Sequence, residues 1–169
     1  MTDHEKHILN TRIALLGEQA GLAGDLLWQA AESCPQGHSN REPECGELDR
    51  QIGEVCFDCR EEADVSWKEH QEHWEDLLWH PEWRIARAPR DFTDPAVLLP
   101  LMEAYWGKWD VDIKWEWYLS TDGWVTYVTV YKSNWKVWIK RKGVGATITE
   151  AMAQILHQML EDATEGDPT

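Results

Sequence analysis

From Asp110 to Leu119 the chain alternates between polar and apolar side chains. Val111, Ile113, Trp115, Trp117 and Leu119 are apolar, and Asp110, Asp112, Lys114 and Glu116 fall between them. A period of two commits this stretch to a strand with one face toward a core and one toward water. Thr121-Asp122-Gly123 supplies a turn, Trp124 to Tyr131 reads as a second strand, and Lys132-Ser133-Asn134 turns again. A third strand then runs from Trp135 to Arg141, with Trp135, Val137 and Ile139 on one side. Connections this short join antiparallel neighbours, so the expectation is a three-stranded meander.

A sheet with one apolar face needs a cover, and the flanking sequence predicts two helices. Asp94-Pro95 opens the first, which runs to about Trp106, because an Asp N-cap and a Pro in the first turn suit the unpaired N–H groups at a helix start. Pro100 lies deep in this stretch, which predicts a kink or a start nearer Leu98. The closing helix begins at Thr147 with Glu150 three residues on, a capping-box pair, and Ile148, Met152, Ile155, Leu156, Met159 and Leu160 form a stripe of helical period. Trp115, Trp117, Trp135, Ile139, Ile155 and Met159 are expected to share one core.

The first half reads differently. From His4 to about Glu32, Ile8, Ile13, Leu15, Leu16, Leu22, Leu26 and Leu27 recur at spacings near three and four, as one long helix or two, with Gly17, Gly21 and Gly24 weakening the middle. Cys34, His38, Cys45, Cys56 and Cys59 follow within 26 residues and include every cysteine of the chain. Thiolates on tight turns close a tetrahedral shell around zinc, so the expectation is one structural Zn held by Cys34, Cys45, Cys56 and Cys59, with His38 as the alternative ligand. The polar start Met1-Thr-Asp-His-Glu-Lys-His gives no support to secretion and disulfides. A helical pattern resumes from Arg60 to about Trp79. His70 and His73 there are three apart, the wrong step for the His-Glu-x-x-His metalloprotease signature, and read as solvated.

The fold class expected is therefore α+β: a helical zinc-loop module (1–80), a connector (81–93) and an α-β-β-β-α unit (94–169). Eleven of the twelve tryptophans lie between positions 67 and 138 and mostly supply aromatic core. On the sheet face away from that core, Lys114, Glu116, Lys136, Trp138 and Lys140 are expected together, with Tyr127 joining from the second strand. Aromatics set among lysines can stack a base while charge holds its phosphate. His157 is expected on the exposed side of the closing helix near Glu161.

The chain carries a formal net charge of −15, and residues 1–95 hold 21 acidic against 9 basic side chains. Such a surface disfavours nucleic-acid phosphate and favours basic partners, with Glu61, Glu62 and Asp64 as the candidate contact cluster. No apolar run reaches the ~18 residues needed to span a membrane, so no membrane span is expected.

Phe92-Thr-Asp-Pro-Ala ahead of an apolar helix, Trp-rich strands, and Gly145-Ala-Thr-Ile-Thr-Glu-Ala ahead of the closing helix carry a resemblance. From Pro89 to Ala163 the chain resembles the phage ABA sandwich domain family. The resemblance implies a phage origin, in a host bacterial cytoplasm, and carries over no catalytic residue. No phosphate loop, nucleophile elbow or catalytic triad pattern is present. The expectation is a binding protein, not an enzyme: a phage accessory protein that engages a host protein stoichiometrically, as an inhibitor of a host defence or replication component. The alternative is nucleotide or nucleic-acid binding on the aromatic and basic sheet face.

Overall fold

The computed structural model describes residues 1–30, 62–63, 87–132 and 136–164. In chain order the elements are α1 (Asp3–Gln19), α2 (Gly24–Leu27), β1 (Trp28–Ala30), β2 (Arg87–Pro89), α3 (Pro95–Trp106), β3 (Val111–Ser120), β4 (Gly123–Lys132), β5 (Val137–Gly145) and α4 (Ile148–Thr164). The α+β class holds, with β3-β4-β5 as an antiparallel sheet and helices packed against it.

The helix caps follow the sequence. Asp94 accepts from the Ala96 N–H at 2.9 Å, and the helix starts at Pro95, not nearer Leu98. Pro100 sits inside α3 at an exposed position, as does Ala96, whose carbonyl a residue with an N–H at position 100 would meet. At α4, Thr147 accepts from the Glu150 N–H at 3.1 Å, whereas the Glu150 carboxylate accepts from Ala146 N–H instead of reaching back to Thr147. The N-terminal pattern resolves into two helices. Gly21, at φ 74°, reverses the chain between them, a conformation that costs a glycine little. The expected continuation to Glu32 stops at Leu27, since Trp28 to Ala30 pair with Arg87 to Pro89 as a strand.

One cluster forms the core. Among the described residues Ile13, Leu15, Leu27, Phe92, Leu98, Leu101, Val128, Val130, Ile155, Leu156 and Leu160 belong to one buried cluster. Each such side chain removed from water contributes about 1.5–3 kcal/mol, against which stands the entropy of ordering the chain. α1, placed by sequence in the first module, packs on α4 of the second. A polar clasp ties α1 to the connector before α3. Asp91 accepts from Lys6 Nζ at 2.6 Å, Thr93 Oγ1 at 2.7 Å and Thr93 N–H at 3.0 Å, while Asn10 Oδ1 accepts from Phe92 N–H at 3.1 Å. Burial raises the Asp91 pKa, but these donors outweigh it and hold the carboxyl below its ordinary 3.8.

α4 crosses β4 and β5 and approaches β5 closely at Gly143, where an added Cβ would lie 1.9 Å from the Ala151 carbonyl oxygen. Only glycine permits that approach. β3 lies outside this contact, and the expected core divides accordingly. Ile155 and Met159 are buried, and Trp115 and Ile139 pack partly buried against the cluster. Trp117 does not join them: it is 55% exposed, because it lies on the edge strand past the helical cover. Trp135 lies outside the described residues.

Candidate functional site: the open face of the sheet

The register assigns each side chain of the meander to a face, since directly paired residues share one. Ile113 pairs with Val130 and Trp115 with Val128, which fixes the helix-covered side. The other side carries Asp112, Lys114, Glu116 and Tyr118 from β3. β4 adds Val125, Tyr127, Thr129 and Tyr131, and β5 adds Lys140, Lys142 and Val144. Thr129 sits between Lys114 and Lys140, and Tyr127 between Glu116 and Lys142. Small residues of the central strand are thus walled in by larger neighbours, and Val125 and Thr129 are buried although no described helix covers this side.

Two tyrosines form the centre. Tyr118 and Tyr127 stack with ring centroids 6.2 Å apart and planes 28° from parallel. They are diagonal neighbours across the β3–β4 ladder, a spacing long aromatic side chains can bridge. Hydrogen bonding with Tyr127 raises the Tyr118 pKa above 10.0, so the phenol stays protonated at neutral pH. Lys140 and Lys142 extend over the Tyr127 ring, with Nζ 5.7 and 5.9 Å from its centroid. These distances suit cation–π attraction. Lys114 pairs with Glu116 at 3.0 Å, and both side chains remain more than half exposed. The hydrogen bond and the charge of Glu116 raise the Lys114 pKa. The face holds three lysines against two carboxylates in a chain of net charge −15, and is a local basic and aromatic island.

Four of the six residues expected here are present: Lys114, Glu116, Tyr127 and Lys140. Trp138 is not. The β4–β5 ladder pairs Tyr131 with Val137 and Val130 with Ile139, so a register shift leaves Trp138 unmatched. Its ring packs on the core cluster, 5.1 Å from the Trp109 ring and with Lys132 Nζ 4.6 Å from its centroid. Lys136 precedes β5, and its carbonyl accepts from Lys132 N–H at 3.1 Å. Sequence reasoning missed Tyr118, which stands at an even position among the polar residues of β3. Lys142 escapes it because β5 runs on to Gly145, four residues past the strand end expected at Arg141.

The remaining expectations fare unevenly. Cys34, His38, Cys45, Cys56, Cys59, Glu61 and Asp64 lie outside the described residues, as do His70 and His73. Among the described residues no group of three or more His, Cys, Asp or Glu could hold a metal ion. The expectation of metal binding is corrected to that extent, as the described residues hold no such group, and nothing found indicates a phage origin. Glu62 is exposed and pairs with His4. His157 is not on an exposed side: it is mostly buried, with Nε2 3.6 Å from Glu161, and burial lowers its pKa from 6.5, partly offset by Glu161 and reinforced by Arg12. None of the described helices is long and apolar enough to cross a membrane.

In comparisons with protein-family models, curated proteins and solved structures, nothing matches this chain. The chemistry of the open face is therefore the guide to function.

Proposed function

We propose that this chain is a binding protein that holds a nucleotide, free or within a short single strand, on the open face of its sheet. The stacked Tyr118–Tyr127 pair with Lys140 and Lys142 above it carries this reading. A nucleobase stacks on an aromatic ring whatever its sequence, and the flanking ammonium groups meet its phosphate. A flat three-stranded face suits unstacked bases and cannot enter a duplex groove. The chain's overall negative charge further disfavours long polyanions, so a mononucleotide or short strand is the expected ligand. In the acidic contact cluster, Glu62 is already paired with His4.

Fluorescence titration with ATP and with a short labelled oligothymidylate tests this. Tyr127→Ala should weaken binding by about 1–3 kcal/mol, roughly 5- to 150-fold, and Lys140→Glu should weaken it and flatten its salt dependence. Wild-type affinity in both variants, or no binding of either probe by the parent chain, rejects the reading.

A further inference from the structure

The strand order β3-β4-β5 leaves β3 at an edge of the sheet, and among the described residues no strand pairs with its outer side. Ten residues of backbone there keep one row of N–H and C=O groups unmatched within the described sheet. Three consecutive side chains near its end are large and exposed: Trp117 at 55%, Tyr118 at 49% and Leu119 at 67%. Exposed apolar area on a long edge strand marks a pairing surface, and its sequence indicates the partner.

β3 is complementary to itself. Written antiparallel to a second copy and centred on Trp115, Lys114 stands opposite Glu116 of the other chain and Glu116 opposite Lys114. On the helix side Trp115 meets Trp115, Ile113 meets Trp117, and Val111 meets Leu119. Every charged–charged contact is attractive and every helix-side contact is apolar. Val111, Ile113 and Trp115 already pack against the core. Trp117 and Leu119, which the helices of their own chain leave exposed, would extend the partner's apolar layer. The opposite edge lacks this property, since self-pairing of β5 would juxtapose the run Lys140-Arg141-Lys142 with itself.

We infer that the outer edge of β3 is a homodimer interface, with two copies pairing antiparallel about Trp115 into one continuous sheet. A two-fold axis through that pair stands perpendicular to the sheet, so the interface is isologous. Both Tyr118–Tyr127 stacks then lie on one side of a six-stranded surface.

Sedimentation velocity on the full chain over a range of concentrations, at ~0.15 M salt to screen the repulsion between acidic protomers, tests this. The parent chain should show a reversible monomer–dimer equilibrium. Lys114→Glu and Glu116→Lys alone each oppose two like charges across the axis and should weaken dimerisation by roughly tenfold or more. Combining them restores both pairs and should restore the dimer. Leu119→Lys should weaken it with an unchanged circular dichroism spectrum. A chain that stays monomeric throughout, single charge variants that dimerise as the parent does, or a double variant as weak as the singles would each overturn the assignment.

Discussion

The two faces of the β3-β4-β5 sheet are built from the same three strands, and they differ in what a single side chain is worth. On the covered face α4 lies so close to β5 that Gly143 leaves no room for a Cβ, and Val128 and Val130 are fully buried. On the open face only the small residues Val125 and Thr129 are buried, and Tyr118 and Tyr127 stack on each other with Lys140 and Lys142 beside them. Stability is therefore concentrated on the covered side, and the exposed side chains of the other are freer to vary, a division that follows from the period of two.

Substitutions should expose that asymmetry. Leu160→Ala, at a fully buried position of α4, should destabilise by about 2–5 kcal/mol in denaturant unfolding, the transfer of the lost atoms plus the cavity left behind. Gly143→Ala should cost about 1–3 kcal/mol, since the helix must move away from the strand; an unchanged midpoint would mean that α4 does not approach as described. Open-face substitutions such as Lys142→Ala should stay within about 0.5 kcal/mol.

The smallest expected effect concerns pH. Burial lowers the folded-state pKa of His157, so the unfolded chain binds the proton more readily. Its contribution is intact above the unfolded value near 6.5 and declines as pH falls through 6.5 toward the lowered folded value. Asp91, a carboxyl with a lowered pKa, should lose its contribution only below its ordinary 3.8. His157→Gln should therefore flatten the first acid limb of unfolding free energy against pH and leave the second in place.

Much of this was legible because local rules decide it. The meander followed from alternation and short turns, and the helix starts from Asp94-Pro95 and Thr147. The exceptions are long-range. Trp117 and Leu119 obey the alternation, but how far α4 reaches across the sheet decides whether they are covered, and that depends on α4 crossing at β5. The register shift after Val130 moved Trp138 off the open face, and a pattern of two cannot announce a residue inserted out of step. The β1–β2 ladder pairs residues about 60 positions apart through three rungs, too short a run for periodicity to signal. Tyr118 is an aromatic at an even, otherwise polar position of β3, and that break in the alternation is the signal for an exposed ring.

Ligand recognition is proposed for the open sheet face. The most direct measurement is the change in backbone amide NMR shifts as ATP or a short oligothymidylate is titrated into the full chain. The account predicts perturbations centred on Tyr118, Tyr127, Lys140 and Lys142, with α1 and α4 unmoved and the pattern lost in Tyr127→Ala. Shifts centred on the helices, or none at saturating ligand, would contradict it.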